Sequence, residues 1–550
     1  MAFNSNAAVQ NWRQLVEITL DSGVVRYAKD THTLSDGTYY DGRLLSISTL
    51  RLSAGQLLDP RIVAPSLQLT LDNADGTMLT AIDSEEWGNR QVIIKVGQGA
   101  TSGDYEEVFR GRILFPGGIG IDDQSVTIEL NSERGADNVV IPANKFKTST
   151  YANLEPKSDN LPIPIVYGDW LTTAGGGEKV PCHCVDTTAG TGGRFKIADH
   201  ALKQIEAVYL NGSAITGNCT LDAANGEFTI SSTSTYDPDV DVVTANVQGK
   251  TDDGLTSGNL LQSLSDIAQD VITDLMGLTS TEINAAQFTD WEGNLSTVDY
   301  GRRVLNTEVS SGDILTELLV EGFADMVVED GEYYPVYRIA TISGLETFRD
   351  YDIRDRSDGA KEFTITRDPE RNYCNQIVAT YRYDPANLTY RKRHDADNTS
   401  AQSSTGVTRR RRLTFKWLYE TVGAENRAER ELYAFSTETE VVNVALGPAA
   451  LVKFPTNIFS LHYSKFAQDA DTGTPIQIRD ISADFDRMSA TIRGWNVFNL
   501  SPGTWTADSA TTWLLSTEAE RNQNGYWTDA SGYADTSGSP DTASQRSKWF

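Results

Sequence analysis

Along the first 150 residues apolar positions alternate with polar ones, the two-residue period of strands that bury one face. Val16, Ile18 and Leu20 keep this period, as do Leu67, Leu69 and Leu71, which run into the turn signal Asp72-Asn73-Ala74-Asp75-Gly76. Trp87-Gly88-Asn89-Arg90 leads into Val92 to Val96, and Glu107 to Ile113 and Val126 to Leu130 continue the series. Strand and turn alternating at such short spacing predict an antiparallel barrel or sandwich over residues 1–150.

Pro156, Pro162 and Pro164 then fix an extended path and remove backbone donors, which marks 151–171 as a linker. Glu206 to Leu210 before Asn211-Gly212, and Glu227 to Ile230 after Asn225-Gly226, read as strands bounded by Asn-Gly turns, so 172–258 is expected to be a small β unit. The period changes to three and four at Leu261, Leu264, Ile267, Ala268, Val271, Ile272 and Leu275, and a second helix is expected from Ser311 through Leu319 to Gly322. Residues 259–325 are therefore read as a helical segment. Strands return over 326–500, beginning with a hairpin about Asp330-Gly331. Gln376 to Tyr383, Val441 to Leu446, Ile476 to Ile481 and Met488 to Trp495 follow, with a polar loop expected at about 385–408 and a charged helix at about 424–435. Residues 501–550 form an aromatic-rich arm poor in aliphatic residues, with Trp505, Trp513, Trp527 and Trp549 expected either as anchors in pockets of a partner or as the core of a small β appendage on the same chain.

At 550 residues the chain exceeds what one hydrophobic core supports, and 39 % hydrophobic with 22 % charged residues suits folded domains. A formal net charge of -29 argues against a broad basic face that would neutralise phosphates; an acidic channel wall would instead let DNA slide past. The first residues show no basic stretch followed by an apolar run, and no window offers a membrane span. Four cysteines cannot form a disulfide framework and suit a protein made in a reducing cytoplasm.

Three features together resemble the hub and tip proteins of long-tailed bacteriophages: the strand block from Trp87 to Leu130, the segment Ile163-Pro164-Ile165-Val166-Tyr167-Gly168 entering a new unit, and the strand Asn375 to Tyr383 followed by the helix at Glu425 to Glu431. The resemblance covers roughly residues 10–500 at the level of layout. It implies a mainly β, multidomain fold with minor α: two tail-tube-like antiparallel β-barrels, a small inserted β unit and short helices. It also implies a homotrimer that presents six barrels, adapts a six-fold tube to three-fold tip structures, and sits at the tail tip of a virion made in the bacterial host cytoplasm. The implied neighbours are the distal tail protein, the tail tube, the tape-measure protein and fibre or spike proteins, with genome DNA passing without specific binding.

Chemistry is sparse. Cys182, Cys184, Cys219 and His200 are the densest metal-ligand candidates, but a single residue between Cys182 and Cys184 departs from knuckle spacing, and no metal or other cofactor is expected. No HExxH or GxSxG occurs, and Gly249-Lys250-Thr251 lacks the first glycine of a phosphate loop, so no catalytic residues are assigned. A receptor- or glycan-binding tail protein and a tail-associated cell-wall hydrolase stand as the alternatives. The run Arg409-Arg410-Arg411-Arg412 stands out on an acidic chain and is expected either as a solvated edge or as a contact with an acidic partner, such as a neighbouring copy.

Overall fold

The computed structural model describes residues 12–56, 59–60, 65–132, 138–174, 177–189, 192–231, 236–329, 331–338, 345–367, 372–463 and 473–496. The chain is mainly β, with several sheets and short helices.

The alternating segments of the first 132 residues build an antiparallel sheet in the order Gly23–Ala28, Arg13–Leu20, Gln91–Gly97, Tyr105–Ile113, Ser125–Ser132, Ser66–Asp72 and Leu44–Ile47. Its register sets apolar positions opposite one another: Val126 faces Leu71, Ile128 faces Leu69 and Leu130 faces Leu67. A second large sheet comes from the far end of the chain, ordered Thr347–Arg349, Ile458–His462, Thr474–Asp484, Ser489–Asn496, Glu440–Leu446 and Phe363–Arg367. The strand Leu50–Ser53 leaves the first sheet and pairs in the second, with Leu52 opposite Ile481 and Leu50 opposite Ala483. The inner faces of both sheets form one apolar cluster, in which Val16, Ile94 and Ile128 belong with Val444, Ile478 and Ile492. Strands from early and late in the described chain thus share one core.

Between them lies a unit of two four-stranded sheets, built from Val180–Pro181, Val243–Gln248, Gln204–Leu210 and Ser213–Ala214, and from His183–Asp186, Arg194–Lys196, Glu227–Ile230 and Cys219–Asp222. Phe195 and Phe228 stack at 5.2 Å in its core. The Asn-Gly turns fall where expected, and Gly226 is obligatory: its φ is +61°, and a Cβ would meet the His200 carbonyl oxygen at 2.6 Å.

The helical segment begins with Leu264–Asp270, which widens into a π-turn over Val271–Leu275, and includes Ser311–Glu321. The apolar stripe read from the sequence is the buried one, from Leu264 and Ile267 to Ile272, packed with Leu315 and Leu318. The helix Ala285–Asn294 was not expected; its buried face is only Phe288 and Trp291, too little to show a period. Residues 385–408, expected as a polar loop, instead hold the strand Thr389–Asp397 and the helix Thr399–Thr405. That strand is mostly exposed and buries only Ala396, so it lacks the apolar alternation by which strands are read. Among the described residues no helix is long and apolar enough to cross a membrane.

Candidate functional site

The strand missing from the sequence reading completes a three-stranded sheet. Its central strand, Gln376–Asp384, pairs antiparallel with Thr389–Asp397 and parallel with Arg410–Thr414. The register places Gln376 between Asp397 and Arg410, Val378 between Asp395 and Arg412, and Thr380 between Arg393 and Thr414. Side chains two residues apart share a face, so these nine form one surface. The opposite face, with Ile377, Ala379 and Tyr381, packs in one apolar cluster with Ala424, Ala428 and Phe435 of the helix Thr421–Phe435.

This alternation splits the arginine run. Arg411 points to the helix side: its guanidinium donates to the Asn372 carbonyl, lies 4.8 Å over the Phe435 ring and stands 3.8 Å from Glu431. Arg410 and Arg412 project outward with Arg393 and line a cavity of about 440 Å³ with Val378, Thr380, Leu413 and Thr414. Val378 is 7 % exposed although it lies on the outward face, because long side chains flank it and their stems cover it. Arg410 donates to Gln376 Oε1 at 2.6 Å, and Arg393 holds Asp395 by two parallel bonds of 2.8 Å. The Arg393 bonds hold the Asp395 carboxyl below its ordinary value, with Arg410 adding to the pull. Arg409 and Arg412 form no ion pair among the described residues. Planar guanidinium groups over an apolar floor can take carboxylates in two-pronged contacts while burying a small aliphatic side chain.

The metal-ligand candidates all lie in or beside the small β unit, but their polar atoms serve the fold. His200 Nε2 accepts the Val166 N–H at 3.0 Å, and its other ring nitrogen stands 2.8 Å from the Ala201 carbonyl oxygen. Cys219 Sγ donates to the Ile215 carbonyl at 3.4 Å, Cys182 Sγ stands 3.6 Å from the Val180 carbonyl, and Cys184 is buried. Burial pushes the Cys219 thiol up to about 11 and the Cys184 thiol up to about 12, and raises Cys182 further with help from Cys219. Burial takes His200 down to about 4. Among the described residues no three His, Cys, Asp or Glu side chains are grouped to hold a metal. Lys250, from the phosphate-loop mimic, is spent on Asp270 at 2.8 Å and Asp274 at 2.5 Å. Trp505, Trp513, Trp527 and Trp549 lie outside the described residues.

Three buried carboxyl anchors, two of them ion-paired and one held by backbone N–H groups, were not visible in the sequence. Asp325 sits between Arg338 at 3.1 Å and Arg479 at 2.5 Å, and Arg479 also donates to the carbonyls of Ala54 and Gly55. Burial alone would raise Asp325; the two arginines outweigh it and leave its carboxyl below the ordinary value. Glu178 meets Arg302 at 2.8 Å and Arg382 at 3.0 Å, which ties the small β unit to the three-stranded sheet, and the Arg302 guanidinium lies 4.6 Å from the Trp170 ring and 4.4 Å from the Tyr419 ring. Glu321 accepts the N–H groups of Lys416, Trp417 and Leu418 at 2.6, 2.9 and 2.8 Å.

No family model matches the chain, and no curated protein does. Among solved structures it is similar to phage tail proteins. One is a 43 kDa tail protein of a Shewanella oneidensis prophage, with TM-score 0.38 and 10 % identity over 88 % of this chain and 98 % of that one. Another is a tail protein from Neisseria meningitidis, with TM-score 0.37 and 7 % identity over 88 % and 96 %. A third is a prophage tail protein from Listeria monocytogenes, with TM-score 0.37 and 9 % identity over 88 % and 94 %.

Proposed function

We propose that the chain is a structural, non-enzymatic component of a bacteriophage tail: the hub or tip ring that closes the tube, adapts its six-fold symmetry to a three-fold tip and carries fibre or spike proteins. Copies assemble as a homotrimer, and DNA passes through the channel during ejection. The observation that carries this reading is the pair of large sheets drawn from opposite ends of the chain, clipped together by Leu50–Ser53 and sharing one core. A part that transmits force between a tube and its tip must resist shear between its sheets, and a common core clipped by Leu50–Ser53 does so, while Asp325 ties the strand Ala324–Glu329 to the second sheet through Arg479. The layout resemblance read from Trp87 to Leu130, Ile163 to Gly168 and Asn375 to Glu431 supports the same placement.

The test is size measurement of the purified chain, alone and mixed with tail-tube protein, followed by electron microscopy. Trimeric rings that cap tube ends are expected. A chain that stays monomeric in both settings would overturn the reading, and clearing of a peptidoglycan gel by the purified chain would overturn its non-enzymatic part.

A further inference from the structure

We propose that the arginine-lined face of the three-stranded sheet receives the acidic turn Asp237-Pro238-Asp239-Val240-Asp241-Val242 of a second copy of this chain, so that copies join head to tail around an axis. The inference rests on the ring reading above and adds the surfaces that make the ring.

The two surfaces match in charge and in grain. The face offers Arg410 and Arg412 beside the Arg393–Asp395 pair, about the apolar floor at Val378, with Asp397 held by Gln376 and Gln402 and Arg412 forming no ion pair among the described residues. The turn alternates carboxylates with aliphatic residues, and its valines are bare: Val240 is 73 % exposed and Val242 59 %. It is also held ready. The Asp237 N–H donates to Asp241 Oδ2 at 2.8 Å, the Asp239 N–H to Asp237 Oδ1 at 3.0 Å, and the Asp241 N–H to the Asp237 carbonyl at 2.9 Å. Asn211 fixes the Asp241 carboxylate at 2.6 Å. The Asp239 carboxylate has no partner among the described residues, and Arg412 is its counterpart on the face. Little loop entropy is then lost on docking, and an exposed valine beside that carboxylate suits a cavity of about 440 Å³ with an apolar floor.

A second copy is favoured over nucleic acid by the grain of the face: guanidinium groups about an apolar floor suit a short segment that alternates carboxylates with exposed valines better than an unbroken row of phosphates. Turn and face are different patches of one chain, so their union is a heterologous contact, the kind that closes into a ring when the rotation between copies permits.

The experiment follows the oligomer of the full chain by sedimentation at low and high salt, for the wild type, Arg410→Asp/Arg412→Asp, Asp239→Ser/Val240→Ser, and an equimolar mixture of the two variants. 

Every substituted position is exposed, so each variant is expected to fold, and its melting temperature checks this. Each variant should need at least about tenfold more protein to assemble than the wild type, and wild-type assembly should weaken at high salt. The mixture should stop at a heterodimer, because only one intact face and one intact turn remain to meet. Wild-type rings matched by equally good rings from both variants would overturn this contact and leave the ring reading standing. A wild type that is monomeric at every concentration would overturn both. Loss of oligonucleotide binding in the face variant, with assembly unchanged, would overturn the second-copy assignment in favour of nucleic acid.

Discussion

Glu321 is 4 % exposed and aims its carboxyl at three backbone N–H groups. Burial raises its pKa from 4.5 to about 7, and the three N–H groups pull against that rise. Between those values the folded chain keeps a proton that the unfolded chain releases, so this group's contribution to stability is full below pH 4.5 and declines as the pH rises toward 7. Urea titrations across that window should show the decline in the wild type and a flatter profile in Glu321→Gln. Asp325 behaves differently, since its loss strands two buried arginines. Asp325→Ala should cost about 3–5 kcal/mol in the same titrations, and a cost within the error of a surface substitution would show the anchor to be dispensable. Neither group could be picked out among 76 acidic residues, because what distinguishes them is burial against partners far along the chain: Arg479 lies 154 positions from Asp325. The arginine run was legible as an oddity, and strand alternation explains why Arg411 turns inward while Arg410 and Arg412 turn outward.

At the scale of elements, legibility followed the strength of the apolar period. The strands Gln91–Gly97 and Ser125–Ser132 and the helix Ser311–Glu321 each bury one regular face, and all three were expected. The strand Thr389–Asp397 was missed because its sequence Thr-Tyr-Arg-Lys-Arg-His-Asp-Ala-Asp spends its positions on charge, and its place is set by pairing with a central strand. One of the three strands of the candidate site was therefore invisible before the fold was known. Its charged strands also flank the central one on both sides, and charge on such edges discourages pairing with stray strands. The helix Ser311–Glu321 was signalled by its first residues. Ser310 Oγ accepts the Asp313 N–H at 3.1 Å, and Ser310→Ala should cost about 1 kcal/mol, read as a shift in the urea midpoint at unchanged slope.

For the whole molecule the decisive step is the crossing at Ser48-Thr49, where the chain passes from one large sheet to the other. Sequence pattern foresaw strands at both ends but could not show that their inner faces meet, because that contact joins residues more than 400 positions apart, as between Arg479 and Ala54. A shared core makes cooperativity a measurable consequence. Ile478 is fully buried in the second sheet, and Ile478→Ala should cost about 2–5 kcal/mol. If the two sheets fold as one body, hydrogen exchange should quicken by a similar factor in Ser125–Ser132 of the first sheet and Glu440–Leu446 of the second, although only the latter sheet carries the substitution. Faster exchange confined to the second sheet would mean that the halves open independently, and the common core would then no longer support a force-bearing role.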